Sequence, residues 1–403
     1  MNRNLAELNA ISLLKDALKL NQFMSMNSNE RRDFFKIINK SRLEIYLYNF
    51  FKKNNLDSQK INDFDSIKKR SELYSVQSIS IVLSTIQLNQ ILNDAKIEFI
   101  FLKGAHLLTR FYKDYSMRPT RDIDILVKPN DIEKVINTLL ESGYKFEESF
   151  NKQYFKSNSQ YGYDIPGILD PNGIRIEVHH RIESKTHNQK CKFFEEFYKN
   201  KKNYKLSSLD AYFLCDEDLI MHLIYHATKK QGPDVGLIFI LDLKQIFLNI
   251  NLDLKKLIKK SKQYNIYPEF AYVIKIFDTF YDLESIKELS QMIDIKINKR
   301  TFNSLKSLLI NNKLNGPEFI MVRAIKNYNI SNFLNFYSLS AISKKRDISK
   351  NYFLIAFFLM KRFFSHVMIF LSIIAKSVFY KKYYSDLLKN INVIEDFRLD
   401  KRN

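Results

Sequence analysis

Ile97–Tyr112 reads IEFIFLKGAHLLTRFY, and shortly after it Arg121–Val127 reads RDIDILV. The first stretch opens on a β-rich apolar run, Ile97 to Leu102. It reaches Lys103-Gly104 and resumes with Leu107, Leu108 and Phe111 at helical spacing, so it reads as strand, tight turn, helix. The second alternates polar and apolar residues with period two. Side chains two apart on a strand share a face, so Asp122 and Asp124 project together while Ile123, Ile125 and Val127 enter the core. Pro129 and Asn130 punctuate this strand, a helix is expected from Asp131 to Glu141, and Gly143 is its expected C-cap. Further on, Asp170-Pro171-Asn172-Gly173 makes a turn, after which Ile174 to Val178 alternates again. There Arg175, Glu177 and His179 share one face and Ile174, Ile176 and Val178 the other.

Outward from this middle the texture is helical. Met1–Leu20 carries Leu5, Leu8, Ile11, Leu14 and Leu18 near helical spacing with charges between them, which predicts an amphipathic helix rather than a signal peptide. Val76 to Leu92 is a second, mainly apolar helical stretch, and from Asp210 onward helical periodicity returns and strands largely vanish. The expected fold class is therefore α/β (α+β), a mixed β-sheet core with large helical amino- and carboxy-terminal regions. The expected organisation is a helical region over 1–95, the strand-bearing core over 96–205, a helical covering region over 206–340 and a basic, aromatic-rich helical tail over 341–403.

At 403 residues the chain is too long for a single small module. Eight glycines and seven prolines rule out a low-complexity chain. A formal charge of +20 favours a polyanionic partner: nucleotide phosphate, nucleic acid or an anionic membrane surface. Cys191 and Cys215 are too few for a disulfide framework and lack the spacing of a zinc ribbon, which points to a reducing compartment.

The chemistry concentrates in the middle. Two carboxylates about 6 to 7 Å apart along a strand can share hard divalent cations. Glu177 completes a carboxylate triad with Asp122 and Asp124 if its strand lies beside theirs, and such a triad suits Mg²⁺, which leaves positions open for phosphate oxygens. Upstream, a strand entering a glycine turn and then a helix offers backbone N–H groups and a positive dipole end to a phosphate, to which Lys103 adds charge.

These blocks, LKGAHLLTRFY, RPTRDIDILV, GYKF and IEVHHRI, resemble the uncharacterised bacterial nucleotidyltransferase-like family of the polymerase-β-type nucleotidyltransferase superfamily. The resemblance is close over roughly Ile97 to Ile182 and looser beyond. It implies a nucleotidyltransferase-type core in which Lys103 and Gly104 sit at the triphosphate. Asp122 and Asp124 would hold two Mg²⁺ ions, and Glu177 would be the third acidic residue, which helps to activate an acceptor hydroxyl. One departure is that the superfamily's usual Gly-Ser pair is Gly104-Ala105 here, so no serine hydroxyl is available at that point.

Arg118 and Arg121 flank the acidic pair and either fork onto a phosphate or neutralise Asp122 and Asp124. Asp218, His222 and His226 recur every four residues and share a helix face; helix packing or a pocket wall, with His179, is the reading preferred over a metal site. Asp242, in a following helix, is assigned to the same cover. The tail interleaves YFLIAFFLM and FFSHVMIFLSIIA with Lys361, Arg362, Lys381 and Lys382. Neither run reaches the roughly 18 residues needed to span a bilayer, so the two readings are buried helices with snorkelling lysines and a surface lying on an anionic membrane.

The expected activity is Mg²⁺-dependent transfer of a nucleotidyl group from an NTP, with ATP the first candidate, to a hydroxyl or phosphate acceptor, releasing pyrophosphate. A sugar, lipid-linked intermediate, peptide or protein side chain all fit as acceptor; nucleic acid fits less well. The expected location is cytoplasmic, with the tail allowing contact at the inner membrane face. The competing readings are phosphoryl transfer in the same fold and a nucleotide-binding or membrane-associated accessory protein without turnover.

Overall fold

The computed structural model describes residues 3–147, 165, 167–182, 192–230 and 236–311. Seven strands form one sheet: β1 (Phe99–Phe101), β2 (Asp122–Val127), β3 (Lys145–Phe146), β4 (Ile168–Leu169), β5 (Arg175–His179), β6 (Lys202–Leu206) and β7 (Leu209–Phe213). Their order is β3-β4-β5-β2-β1-β7-β6. The β2–β5 and β1–β7 pairs are parallel and the other pairs antiparallel, so the sheet is mixed.

Around the sheet lie α1 (Arg3–Leu14), α2 (Leu20–Met24), α3 (Ser28–Ser41), α4 (Glu44–Lys53), α5 (Phe64–Asp94), α6 (Lys103–Phe111) and α7 (Ile132–Glu141). After the sheet's middle come α8 (Lys192–Asn200), α9 (Asp216–Tyr225), α10 (Leu237–Asn249), α11 (Leu254–Gln263), α12 (Tyr267–Phe280), α13 (Glu284–Met292) and α14 (Lys299–Asn311). The α/β expectation is met, with helix predominating.

Period-two patterning explains why the sheet is covered on both faces. Ile123, Ile125 and Val127 pack in one hydrophobic cluster with Ile81, Leu88 and Leu92 of α5 and Val135 and Leu139 of α7. On the opposite face Leu126, Ile100 and Leu102 join a larger cluster that includes Phe34, Phe193, Ile220 and Phe270. Residues of the amino-terminal helices and of the helices after β7 thus share one core, and the face bearing Asp122 and Asp124 looks toward it.

Local turn chemistry follows the sequence closely. Gly143 adopts φ 84° and ends α7, with Tyr144 N–H donating back to the Leu139 carbonyl at 3.0 Å. Asp170 Oδ1 accepts from the N–H groups of Asn172 and Ile174, and Gly173 at φ 83° lets the chain enter β5.

Two expectations need correction. The single helix predicted over Met1–Leu20 breaks after Leu14: Asp16 enters the left-handed region at φ 53° and α2 begins at Leu20. Of the expected apolar face, Leu14 and Leu18 are buried but Leu5 and Leu8 are exposed, and Ala6, Ala10 and Leu13 are buried in their place. Second, strands persist to Phe213, where the β6–β7 hairpin adds two strands at the sheet edge beyond β1. Its turn is made by Ser207 at φ 58° and Ser208. No described helix is long and apolar enough to cross a membrane.

Candidate active site

The parallel register of β2 and β5 sets Asp122 opposite Arg175, Asp124 opposite Glu177 and Leu126 opposite His179. Because alternate residues share a face, the acidic pair of β2 and the Glu177/His179 pair of β5 meet on the same side. Asp124 Oδ1 lies 2.7 Å from His179 Nε2 and also accepts from the Lys103 ammonium. His179 Nε2 stands 3.6 Å from Glu177 Oε2. Arg175 Nη1 contacts Glu177 Oε1 at 3.1 Å, and its Nε contacts Glu147 Oε2 at 3.1 Å.

One carboxylate oxygen each from Asp124 and Glu177 and a ring nitrogen of His179 lie within 4.8 Å of one another, a donor set that fits a divalent ion. Of the expected set Asp122, Asp124 and Glu177, the last two belong to this group; Asp122 lies outside it, two residues along β2 and across from Arg175, and the group's third member is the His179 imidazole.

Lys103 reaches Asp124 because β1 runs straight into α6. Only Leu102 separates strand from helix, and Lys103 itself takes the positive φ of 38°, a conformation that costs a residue with a side chain energy. Gly104 does not take a positive φ; what its lack of a side chain allows is close packing. A Cβ there would meet Thr120 Cγ2 at 2.6 Å and Arg118 Nη1 at 3.1 Å.

Arg118, expected at a phosphate or beside the acidic pair, is buried, and its hydrogen bonds go to Asp242 and Thr120. Its Nε and Nη2 fork onto Asp242 at 2.7 and 2.8 Å, its Nη1 donates to Thr120 Oγ1 at 2.7 Å, and Tyr112 OH donates to the same carboxylate at 2.8 Å. The loop that delivers β2 is therefore clamped between α6 and α10. Arg121 is exposed at the entry to β2. Arg42, at the left-handed C-cap of α3, has its pKa lowered by burial and by the Arg121 and Arg118 guanidinium groups, against the pull of Asp122. That contribution from the amino-terminal helices is a site feature the sequence alone did not reveal.

The electrostatics are those of a partly neutralised acidic cluster. Burial raises the Asp122 carboxyl, and the neighbouring Asp124 charge adds to this, giving a value of about 6. Burial also works against Asp124 ionising, but Lys103 and the hydrogen bond from His179 outweigh it and hold its pKa well below the usual carboxylate range. The His179 hydrogen bond lowers Glu177. Burial works against a charged His179, yet its bonds to Asp124 and Glu177 prevail and raise its pKa.

His222 and His226 of the α9 segment border a small cavity whose other walls include Lys103, His179 and Arg181. Their rings stack at 6.3 Å, and both ring nitrogens of buried His222 lack a hydrogen-bond partner. Asp218 leaves this pair and belongs to packing: it accepts from Lys260, from Tyr264 OH at 2.7 Å and from the buried, free Cys215 thiol at 3.0 Å. The basic tail over 341–403 lies outside the described residues.

A mixed sheet presenting paired acids beside a lysine-headed helix defines a nucleotidyltransferase-like core. The sequence matches the family described as "Uncharacterised nucleotidyltransferase" over residues 27–282, and the chain belongs to that family. The matched region runs from just before α3 to just past α12, so it takes in Arg42, the acidic strands, the α9 histidines and Asp242. Among curated proteins none matches the chain.

Proposed function

We propose that the chain is a divalent-metal-dependent nucleotidyltransferase that moves a nucleotidyl group from an NTP, ATP being the first to test, to a hydroxyl or phosphate acceptor, with pyrophosphate leaving. The observation that carries this reading is the parallel register that sets Asp124 opposite Glu177, beside the Lys103 head of α6. Bound Mg²⁺, the expected ion and two in number, would stabilise charge on the attacking and leaving oxygens, with Asp122, Asp124 and Glu177 as its carboxylate donors.

The chain's own groups divide the remaining work. The amino end of α6 and Lys103 would hold the phosphates, since a helix start offers N–H groups and a positive dipole end. Exposed Arg121 would add charge at the entrance. The acceptor oxygen attacks the α-phosphorus, the bond to pyrophosphate breaks, and Glu177 takes the hydroxyl proton. His222 and His226 would wall the acceptor side, and positioning supplies much of the acceleration.

The reading without turnover draws on one observation: Lys103 already neutralises Asp124. Calorimetry of NTP binding tests the metal-dependent reading. Affinity should rise with Mg²⁺ in the wild type and lose that dependence in an Asp122→Asn, Asp124→Asn double variant. Unchanged Mg²⁺-dependent affinity in the double variant would overturn the assignment.

A further inference from the structure

We infer that the acidic cluster is chemically asymmetric toward divalent ions. The Asp124/Glu177/His179 group is a nitrogen-containing site selective for Mn²⁺ and its transition-metal neighbours, while the Asp122 side offers oxygen alone. This rests on the metal-dependent reading above and adds to it the identity of the ion.

The argument begins with register. Glu177 and His179 are two apart on β5, and β5 runs parallel to β2, so the imidazole is delivered to the acid pair by backbone geometry rather than by a flexible loop. The His179 side chain is 2% exposed and so is that of Asp124. The nitrogen facing the acids is Nε2, at 2.7 Å from Asp124 and 3.6 Å from Glu177. A buried imidazole held this way has few alternatives: it carries a proton between the two carboxylates, or it gives that lone pair to an ion.

Ligand chemistry then separates the ions. Mg²⁺ takes oxygen ligands and sheds water reluctantly, whereas imidazole suits first-row transition metals, with affinity rising from Mn²⁺ along the series. Asp122 falls outside the nitrogen-containing group and faces Arg175 across the strands, so its carboxylate adds no nitrogen donor. Lys103 shares Asp124 Oδ1 with His179. A bound ion must therefore compete with the lysine for that oxygen, and removing the ammonium should tighten metal binding in the absence of nucleotide.

The test uses the full-length protein and Mn²⁺ alone. Electron spin-echo envelope modulation on the Mn²⁺-loaded wild type should show coupling to a ligating ¹⁴N. His179→Gln should abolish that coupling and weaken Mn²⁺ binding about tenfold or more, with a smaller effect on Mg²⁺ measured by competition. Lys103→Met should bind Mn²⁺ more tightly than wild type. Mn²⁺ bound by the wild type without nitrogen coupling would overturn the inference while leaving metal dependence standing. Binding of neither Mn²⁺ nor Mg²⁺ would overturn both. The wild-type spectrum decides the matter by itself if the His179 variant fails to fold.

Discussion

Arg118 grips Asp242 with both prongs of its guanidinium, at 2.7 and 2.8 Å, across 124 residues of chain. Both side chains are nearly inaccessible to water, at 11% and 4% exposure. The pair couples the loop that delivers the acidic strand to α10.

Breaking that pair should be costly. Removing one partner of a buried ion pair leaves the other charge unpaired, at about 3–5 kcal/mol, so Asp242→Ala should lower the urea midpoint markedly. Arg118→Lys alone should lower it too, because an ammonium cannot reproduce the two-pronged contact. A double-mutant cycle giving no coupling between Arg118 and Asp242 would contradict this.

Gly104 is tested by a rescue experiment. Gly104→Ala places a methyl group 2.6 Å from Thr120 Cγ2, and overpacking of this kind costs about 1–3 kcal/mol. Thr120→Ser deletes the opposing methyl group, so the double variant should recover most of the lost thermal midpoint. Equal midpoints for the single and double variants would place the strain elsewhere.

Acid sensitivity follows from two buried histidines. Burial lowers the pKa of His106, helped by Arg110, and burial lowers that of His222, helped by His226. Below the unfolded value of about 6.5 the unfolded chain binds protons that the folded chain refuses, so stability is present above that pH and lost as pH falls, by about 1.4 kcal/mol per unit for each histidine. Asp122, raised to about 6, binds its proton more readily when folded and opposes the loss between about pH 6 and 4. His179, raised against its burial by its bonds to Asp124 and Glu177, opposes the loss only above about pH 6.5. Glu44, raised by burial, opposes it only toward the acid end, so the two buried histidines set the direction between about pH 6.5 and 5. Denaturant titrations from pH 7 to 5 should show falling stability, and His106→Phe should flatten the slope; a slope unchanged by that substitution would remove His106 from the account.

Glu177→Gln separates binding from turnover. The amide keeps the shape and the β5 register but loses the charge facing His179 and Arg175. With Asp122 and Asp124 still in place to hold the ion, Mg²⁺-dependent nucleotide affinity should fall by no more than about tenfold while pyrophosphate release falls by about 10²-fold or more. Equal turnover in wild type and variant would take Glu177 out of the chemistry.

Much of the site was legible because its signals are local. Alternation in RDIDILV and IRIEVH assigns faces without any knowledge of the fold, and the structure supplied the parallel pairing that brings those faces together. The partner of Arg118 was not legible, since nothing in the sequence near residue 118 encodes a carboxylate at 242. The β6–β7 hairpin escaped for a different reason: KNYKLSSLDAYF turns through two serines, without the Asn-Gly or Asp-Gly that marks most short hairpins. The alternation of Leu209, Ala211 and Phe213 was the signal that could have found it. His179 is read as a wall in the sequence because its contact with Asp124 is made across the sheet, between residues 55 apart in the chain.

The central claim is nucleotidyl transfer, and the position of a radiolabel tests it most directly. Wild-type protein incubated with Mg²⁺, Mn²⁺ and ATP labelled at the α-phosphate, in the presence of a cell extract, should transfer label to an acceptor and release unlabelled pyrophosphate. Asp124→Asn protein should do neither. Label reaching the acceptor only from γ-labelled ATP, or no metal-dependent transfer from either position, would contradict the account.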